Sequence, residues 1–264
     1  MQTARIAKDQ QLTETSLLKL IHQEVVAIIV ENYYPQKTAN KFANKIIASE
    51  KREQYTHEIV DNKKIKQEYF GVDRVGFPFN LIYDKSLDDQ LTKDYYQQAA
   101  LNIALLRKYA APSLTPIDKL RLDLDEVLGA NVASYQNRKM LAGIARISRA
   151  DLSYLSEIEP HFDALPPKFC DLDQQFAANI YLKVPRVGGE LEIWDVPTLT
   201  PLSTVPKNWR MKLPKSITIK PKQGDLIIFN CRLPHAIRRF KGPPRVTMQT
   251  FLGYKKHQPL YIWN

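Results

Sequence analysis

Hydrophobic and polar positions change rhythm partway along the chain. In the first half, "EVVAIIVENYY" (24–34) is a continuous apolar run of strand length, and Pro35 follows it. "QKTANKFANKIIAS" (36–49) then places Phe42, Ile46 and Ile47 at helical spacing. "LDDQLTKDYYQQAALNIALLRKYA" (87–110) predicts a long amphipathic helix ended by Pro112. "SLTPIDKLRLDLDEVLG" (113–129) predicts another, with Thr115 as N-cap, Pro116 in the first turn and Gly129 as the stop. Beyond these the runs become short, alternating or β-branched, and are bounded by Gly, Pro or Asn. They are 140–150, 175–184, 189–196, 216–221, 224–230 and 245–254. Helices first and strands second predict an all-β sandwich or barrel buttressed by N-terminal helices.

Composition narrows the class. The chain has 264 residues, enough for one large domain, with 44% hydrophobic and 25% charged residues, as in ordinary globular proteins. No apolar run reaches the roughly 18–20 residues of a membrane span, and the polar start "MQTARIAKDQQ" does not read as a secretory signal. Cys170 and Cys231 do not make a disulfide framework, so a reducing, cytoplasmic setting is expected. The net charge of +10 is concentrated: residues 205–245 hold eleven of the 38 basic residues and one acid, Asp225. That concentration suits an anion-binding site, and nucleic acid is the competing partner.

The chemistry-bearing residues begin at "EPHFDALPP" (159–167). On extended backbone, His161 and Asp163 point the same way and Phe162 turns toward the core. His235 follows far along the chain in "GDLIIFNCRLPH". Two imidazoles and one carboxylate fill three of six positions on a ferrous ion and leave room for a bidentate cosubstrate and O2. Ten residues later, Arg245 opens "RVTMQTFLGY", where Arg245, Thr247, Gln249 and Phe251 share a face. An arginine fork beside a hydroxyl is shaped for a carboxylate. His22, His57 and His257 have no such context and read as surface or packing residues.

The order H-x-D, "GGELEIWD", "GDLIIFNCRLPH", then Arg245 with Thr247, resembles the Fe(II)/2-oxoglutarate-dependent oxygenases over roughly 155–254. Weaker similarity reaches the N-terminal strand–Pro–helix. The resemblance implies a mainly β fold with supporting helices and a double-stranded β-helix core of the jelly-roll or cupin type. It also implies one oxygenase domain over 1–264, with 1–135 as a strand plus mainly helical support and 140–254 as the core carrying the metal site. It makes His161, Asp163 and His235 the catalytic metal ligands. Arg245 and Thr247 become the cosubstrate-binding residues, with Asn179 as a third and Tyr181 as its rival on the same strand face. Fe(II), 2-oxoglutarate and O2 are the implied cofactors, with ascorbate as a candidate reductant.

In this family 2-oxoglutarate is decarboxylated to succinate while the substrate is oxidised. The retained carboxylate at Asp163, where halogenase relatives carry a small residue, implies hydroxylation, with desaturation or cyclisation as alternatives. "YFGVDRVGFPFNLIY" (69–83) resembles a segment of hydroxylases and halogenases of free amino acids and other small molecules, which makes Arg74 a candidate for a substrate carboxylate. Trp194 stands beside the metal site in the family pattern, as a substrate-side or core residue. The expected partner is a small, anionic or amino-acid-like substrate. A protein hydroxylase, a nucleic-acid demethylase and a non-catalytic jelly-roll binder are the other readings. The demethylases usually carry a second arginine six positions after the first, where this chain has Phe251.

Overall fold

The computed structural model describes residues 5–61, 64–83, 85–153, 158–206 and 208–264, with the side chains of 57–67 outside the description. In the first half β1 (Ile6–Asp9), α1 (Glu14–Ile21), β2 (Ala27–Val30), α2 (Gln36–Ile47), β3 (Glu53–Asp61), β4 (Lys64–Val75), α3 (Gln90–Ala110) and α4 (Pro116–Leu128) follow in order. The short strands β5 (Ala130–Val132), β6 (Ser134–Tyr135) and β7 (Arg138–Lys139) lead into β8 (Ile144–Ser148) and β9 (Gln174–Lys183). Then come β10 (Val187–Gly188), β11 (Leu191–Ile193), β12 (Ile217–Ile219), β13 (Leu226–Asn230), β14 (His235–Ile237), β15 (Phe240–Lys241), β16 (Arg245–Tyr254) and β17 (Leu260–Trp263).

The large sheet runs β1-β2-β13-β9-β16-β8-β4-β3, with β17 and β5 attached at the far end of β16. A small antiparallel sheet, β12-β11-β14, faces it. These sheets form a jelly-roll core that does not close into a barrel. Strand alternation sends each face of the large sheet to its own cluster. On β13, Leu226 and Ile228 join the cluster shared with Leu17, Phe42 and Leu120 of the helices. Ile227 and Phe229 instead join Leu191, Ile193 and Ile237 of the small sheet. The same split separates Met248 and Leu252 from Phe251 on β16. Helices therefore back one face of the sheet, and the other face is left for a cavity.

The helix ends follow the expected chemistry. Thr115 Oγ1 accepts the Asp118 N–H at 3.0 Å and starts α4, with Pro116 in its first turn. Gly129 ends it at φ +70°, a conformation that favours glycine. The first half holds the long helices, and it also adds strands to the main sheet: β1 and β2 extend one side while β4 and β3 extend the other. Those outer strands are rich in Lys, Glu and Gln, so they lack the apolar alternation that marks a core strand. The run 24–34 supplies only the four buried residues of β2, since Gln23 and Asn32, at positive φ, stand at turns on either side.

Phe42 is 1% exposed on the face of α2 that packs against the large sheet, whereas Leu122 on α4 is 52% exposed. Phe42→Ala is expected to cost about 3–5 kcal/mol, and Leu122→Ala less than about 0.5 kcal/mol. Urea unfolding of the two variants checks the difference, and equal losses would contradict this packing.

Candidate active site

Backbone pairing brings the two distant imidazoles together. His161 N–H donates to the His235 carbonyl at 3.0 Å, and His235 N–H donates to the His161 carbonyl at 2.8 Å. Residues facing each other across such an antiparallel pair project to one side. The ring centroids accordingly lie 4.3 Å apart. Asp163 N–H donates to the Cys231 carbonyl at 2.8 Å, so the H-x-D segment lies along the chain leading into β14. Across β14, His235 pairs with Ile193 of β11. The H-x-D segment thereby extends the small sheet beyond β14. Phe162, expected in the core, stays partly exposed and belongs to neither buried cluster.

One donor atom from each of His161, Asp163 and His235 lies within 4.8 Å of the others. His235 Nε2 is 3.4 Å from Asp163 Oδ2. The Nδ1 atom of His161 meets the Glu159 carbonyl at 3.1 Å, and that of His235 meets the Leu233 carbonyl at 3.0 Å. A carbonyl only accepts, so each Nδ1 carries the proton and each Nε2 keeps its lone pair. Burial pushes the Asp163 carboxyl up, but while the imidazoles are also protonated at Nε2 the His235 hydrogen bond and the charges of His235, His161 and Arg146 outweigh it and hold it down at about 2, and loss of those Nε2 protons frees the lone pairs for a metal. The side chain is thus an ionised carboxylate at neutral pH. Two imidazole nitrogens and one carboxylate oxygen fit a ferrous ion, with half the coordination sphere left open.

These groups line a cavity of about 350 Å³ between the sheets. Arg245, 3% exposed, lines the wall formed by the large sheet, and its Nη2 donates to the Tyr181 hydroxyl at 3.4 Å. Arg245 Nε and Thr247 Oγ1 are buried with no hydrogen-bond partner. Among the described residues no carboxylate pairs with Arg245. Orphaned donors on a buried guanidinium are costly unless an acceptor arrives, so this pole fits a dianionic cosubstrate such as 2-oxoglutarate. Asn179 lines the cavity, opposite Gln249 in the β9–β16 register. Tyr181 is fully buried under the Arg245 guanidinium, 5.0 Å from its ring centre.

The structure does not bring Arg74 or Trp194 to this cavity. Arg74 forms an ion pair with Glu53 at 2.8 Å, donates to the Gly76 carbonyl and stacks over Phe77. Trp194 is buried below Arg210, whose guanidinium lies 5.1 Å from the ring, and its backbone N–H meets the Pro234 carbonyl. His22 and His257 are exposed, and the side chain of His57 lies outside the described residues.

Sequence reasoning passed over Arg146, Tyr55 and Asn80, which do line the cavity. Arg146 Nη1 donates to Gln249 Oε1 at 2.7 Å. The Tyr55 hydroxyl donates to Asn80 Oδ1 at 2.7 Å, and the Arg146 guanidinium lies 5.4 Å from the Tyr55 ring centre. Burial raises the Tyr55 phenol, which keeps its proton and remains a donor. An arginine inside the apolar strand "IARIS" was a legible signal. Tyr55 and Asn80 reach the site only through the fold.

Part of the basic excess of 205–245 is engaged within the protein. Arg232 and Arg245 are buried, Arg210 and Arg238 meet Glu192, Lys220 meets Glu190 and Lys222 meets Glu31. Arg210 also donates to the Ile158 carbonyl, and Trp209 Nε1 to the Pro160 carbonyl, both at 2.8 Å. This segment therefore straps the strand that carries His161.

Residues 150–253 match the family model of the 2OG-Fe(II) oxygenase superfamily. Over that core the chain is similar to oxygenases that use Fe(II), 2-oxoglutarate and O2. The fold is similar to that of an N-substituted L-amino acid dioxygenase from Burkholderia ambifaria, at TM-score 0.61 and 15% identity over 95% of this chain and 91% of that one. The same enzyme in complex with α-ketoglutarate aligns at TM-score 0.53 and 16% identity, again over 95% and 91% of the two chains. No curated protein sequence matches this chain.

Glu192 is buried between Arg210 and Arg238. Burial raises its carboxyl, but the hydrogen bonds from the two arginines prevail and lower it below the usual value. A carboxylate lowered on folding contributes stability that is present above its unfolded value, about 4.3, and lost as pH falls toward its folded one. Between about pH 5 and 3, wild-type stability is therefore expected to fall more steeply than that of Glu192→Gln. Denaturant midpoints measured across that range test it, and parallel slopes would contradict the pairing.

Proposed function

We propose that the chain is one oxygenase domain that hydroxylates an unactivated C–H bond of a small molecule, an amino-acid-like acid or a biosynthetic intermediate. The observation that carries this reading is the pairing of two poles in one cavity. One is the His161–Asp163–His235 cluster, with both Nε2 atoms available, and the other is Arg245, with its buried, unpartnered Nε. His161, Asp163 and His235 would hold Fe(II), which supplies the O2-activating chemistry when bound. Arg245 and Thr247 would bind the distal carboxylate of 2-oxoglutarate through the orphaned donors, supported by the Tyr181 hydroxyl. Asn179 would contact the same cosubstrate from β9.

The protein's own work is positional. The Glu159 and Leu233 carbonyls fix the imidazole tautomers, and the paired backbone fixes the distance between the rings. The apolar walls, Val72, Ile144, Leu191, Phe229 and Phe251, exclude water from the reacting centre. A cavity of about 350 Å³ between two sheets suits a small molecule better than a nucleic acid strand. The engagement of part of the basic segment within the protein also favours the small molecule, because it leaves fewer of those charges to meet phosphates. The two cysteines carry no disulfide, which suits a cytoplasmic enzyme. Among the described residues no helix is long and apolar enough to cross a membrane.

Two substitutions test the assignment. His235→Ala is expected to abolish specific Fe(II) binding by calorimetry together with 2-oxoglutarate-dependent succinate formation, and retained binding would remove His235 from the ligand set. Arg245→Ala is expected to raise the 2-oxoglutarate requirement by about tenfold or more, since it removes charge-assisted hydrogen bonds. Fe(II) affinity should change little in that variant. An unchanged 2-oxoglutarate requirement would assign the arginine another task.

A further inference from the structure

Of the two imidazoles in the cluster, His161 has the weaker backbone support. His235 lies in β14, which β11 backs along one edge, and it is 5% exposed. His161 stands in no named strand and meets its neighbour through an isolated bridge to His235. It turns both its N–H and its carbonyl to His235, so the carbonyls of Pro160 and Ile158 turn to the opposite edge. Among the described residues no strand pairs with that edge, and Pro160 has no N–H with which to recruit one. Two side chains take the place of a strand. Trp209 Nε1 donates to the Pro160 carbonyl and Arg210 Nη1 to the Ile158 carbonyl, both at 2.8 Å. Between these two captured carbonyls stands Glu159, whose own carbonyl accepts the His161 Nδ1 proton. The strap thus fixes the stretch of backbone that orients the imidazole.

Arg210 is itself anchored. Its Nη2 pairs with Glu192, and its guanidinium lies 5.1 Å from the centre of the Trp194 ring. Glu192 stands on β11 opposite Ala236 of β14, one residue from the Ile193–His235 pair. It also accepts from Arg238 Nε at 3.0 Å and from the Ser216 hydroxyl at 3.2 Å. Leu191 and Ile193 join the buried cluster beside the cavity, so Glu192 projects from the outer face of the small sheet. Trp194, Glu192, Trp209 and Arg210 all stand outside the cavity lining. Arg210 therefore ties the segment carrying His161 to the strand that backs His235, and does so from behind the site. Groups that orient a metal ligand from behind typically set about 10–100-fold in metal affinity. We propose that Trp209 and Arg210 are positioning residues for the metal. They hold the Ile158–Pro160 backbone so that His161 Nε2 faces the same point as His235 Nε2 and the Asp163 carboxylate. The proposal rests on the oxygenase reading of that cluster and adds to it the part that holds its less supported ligand.

The test uses the full chain with 2-oxoglutarate present. Trp209→Phe keeps an aromatic ring and removes the N–H. Arg210→Met keeps an unbranched stem and removes the bonds to Ile158 and Glu192. In calorimetric titration with Mn(II), a stand-in for Fe(II), each variant is expected to bind the ion about tenfold or more weakly than the wild type. Phe42→Leu loosens the packing on the helix side of the large sheet and is expected to leave Mn(II) affinity unchanged. A second readout separates positioning from general loosening. In the Zn(II)-loaded protein with isotope-labelled histidine, the Nδ1 protons of His161 and His235 each sit in a bond to a carbonyl two residues back. In both strap variants the His161 resonance is expected to be lost to exchange with water while the His235 resonance persists. The proposal is overturned if both variants bind Mn(II) as tightly as the wild type, if Phe42→Leu loses as much affinity as they do, or if the two imidazole protons respond alike. The variants remove different bonds, so misfolding of one leaves the other to decide. Failure of the oxygenase reading would appear separately, as a wild-type protein that binds no Mn(II) or a His235→Ala variant that binds it undiminished.

Discussion

Two backbone hydrogen bonds between His161 and His235 organise this molecule's chemistry. They join segments far apart in the sequence, and they do so in the pairing that turns facing side chains to one side of the sheet. Everything proposed for the site follows from that constraint. The rings come together, Asp163 joins them by strand periodicity, and the local carbonyls of Glu159 and Leu233 settle which nitrogens remain for a metal. The surrounding structure serves this edge. β11 pairs with β14 on one side, and the strap bearing Trp209 and Arg210 grips the carbonyls of Pro160 and Ile158 on the other.

Opposite this edge, the large sheet supplies cationic and amide groups in a mostly apolar wall. A buried arginine is costly without an acceptor. Arg245 meets that cost only partly, through the Tyr181 hydroxyl, and Arg146 is steered by Gln249. The unpartnered donors of the Arg245 end suit a cosubstrate carboxylate.

Much of this was legible in the sequence because the core strands announce themselves. β9, β13 and β16 are apolar or alternating runs, and the helices α2, α3 and α4 keep regular spacing with recognisable caps and stops. The H-x-D pair and His235 stood out for their place among those strands, and the structure gathers them. The outer strands β3 and β4 were not legible, because their charged and polar residues keep no apolar period. Arg74 misled for a related reason. An arginine among apolar residues signals burial of its stem, but nothing local shows that Glu53, across the hairpin, will take its charge. Tyr55 and Asn80 come from a strand and a helical turn that sequence places nowhere near the metal cluster, so only tertiary structure could reveal them.

The most direct measurement is anomalous diffraction from crystals of the protein soaked with Mn(II) and 2-oxoglutarate. The account expects a single strong peak within about 2.0–2.3 Å of His161 Nε2, His235 Nε2 and an Asp163 oxygen, with the far carboxylate of 2-oxoglutarate on the Arg245 guanidinium. A peak held by other residues, or a cosubstrate whose far carboxylate avoids Arg245, would contradict it.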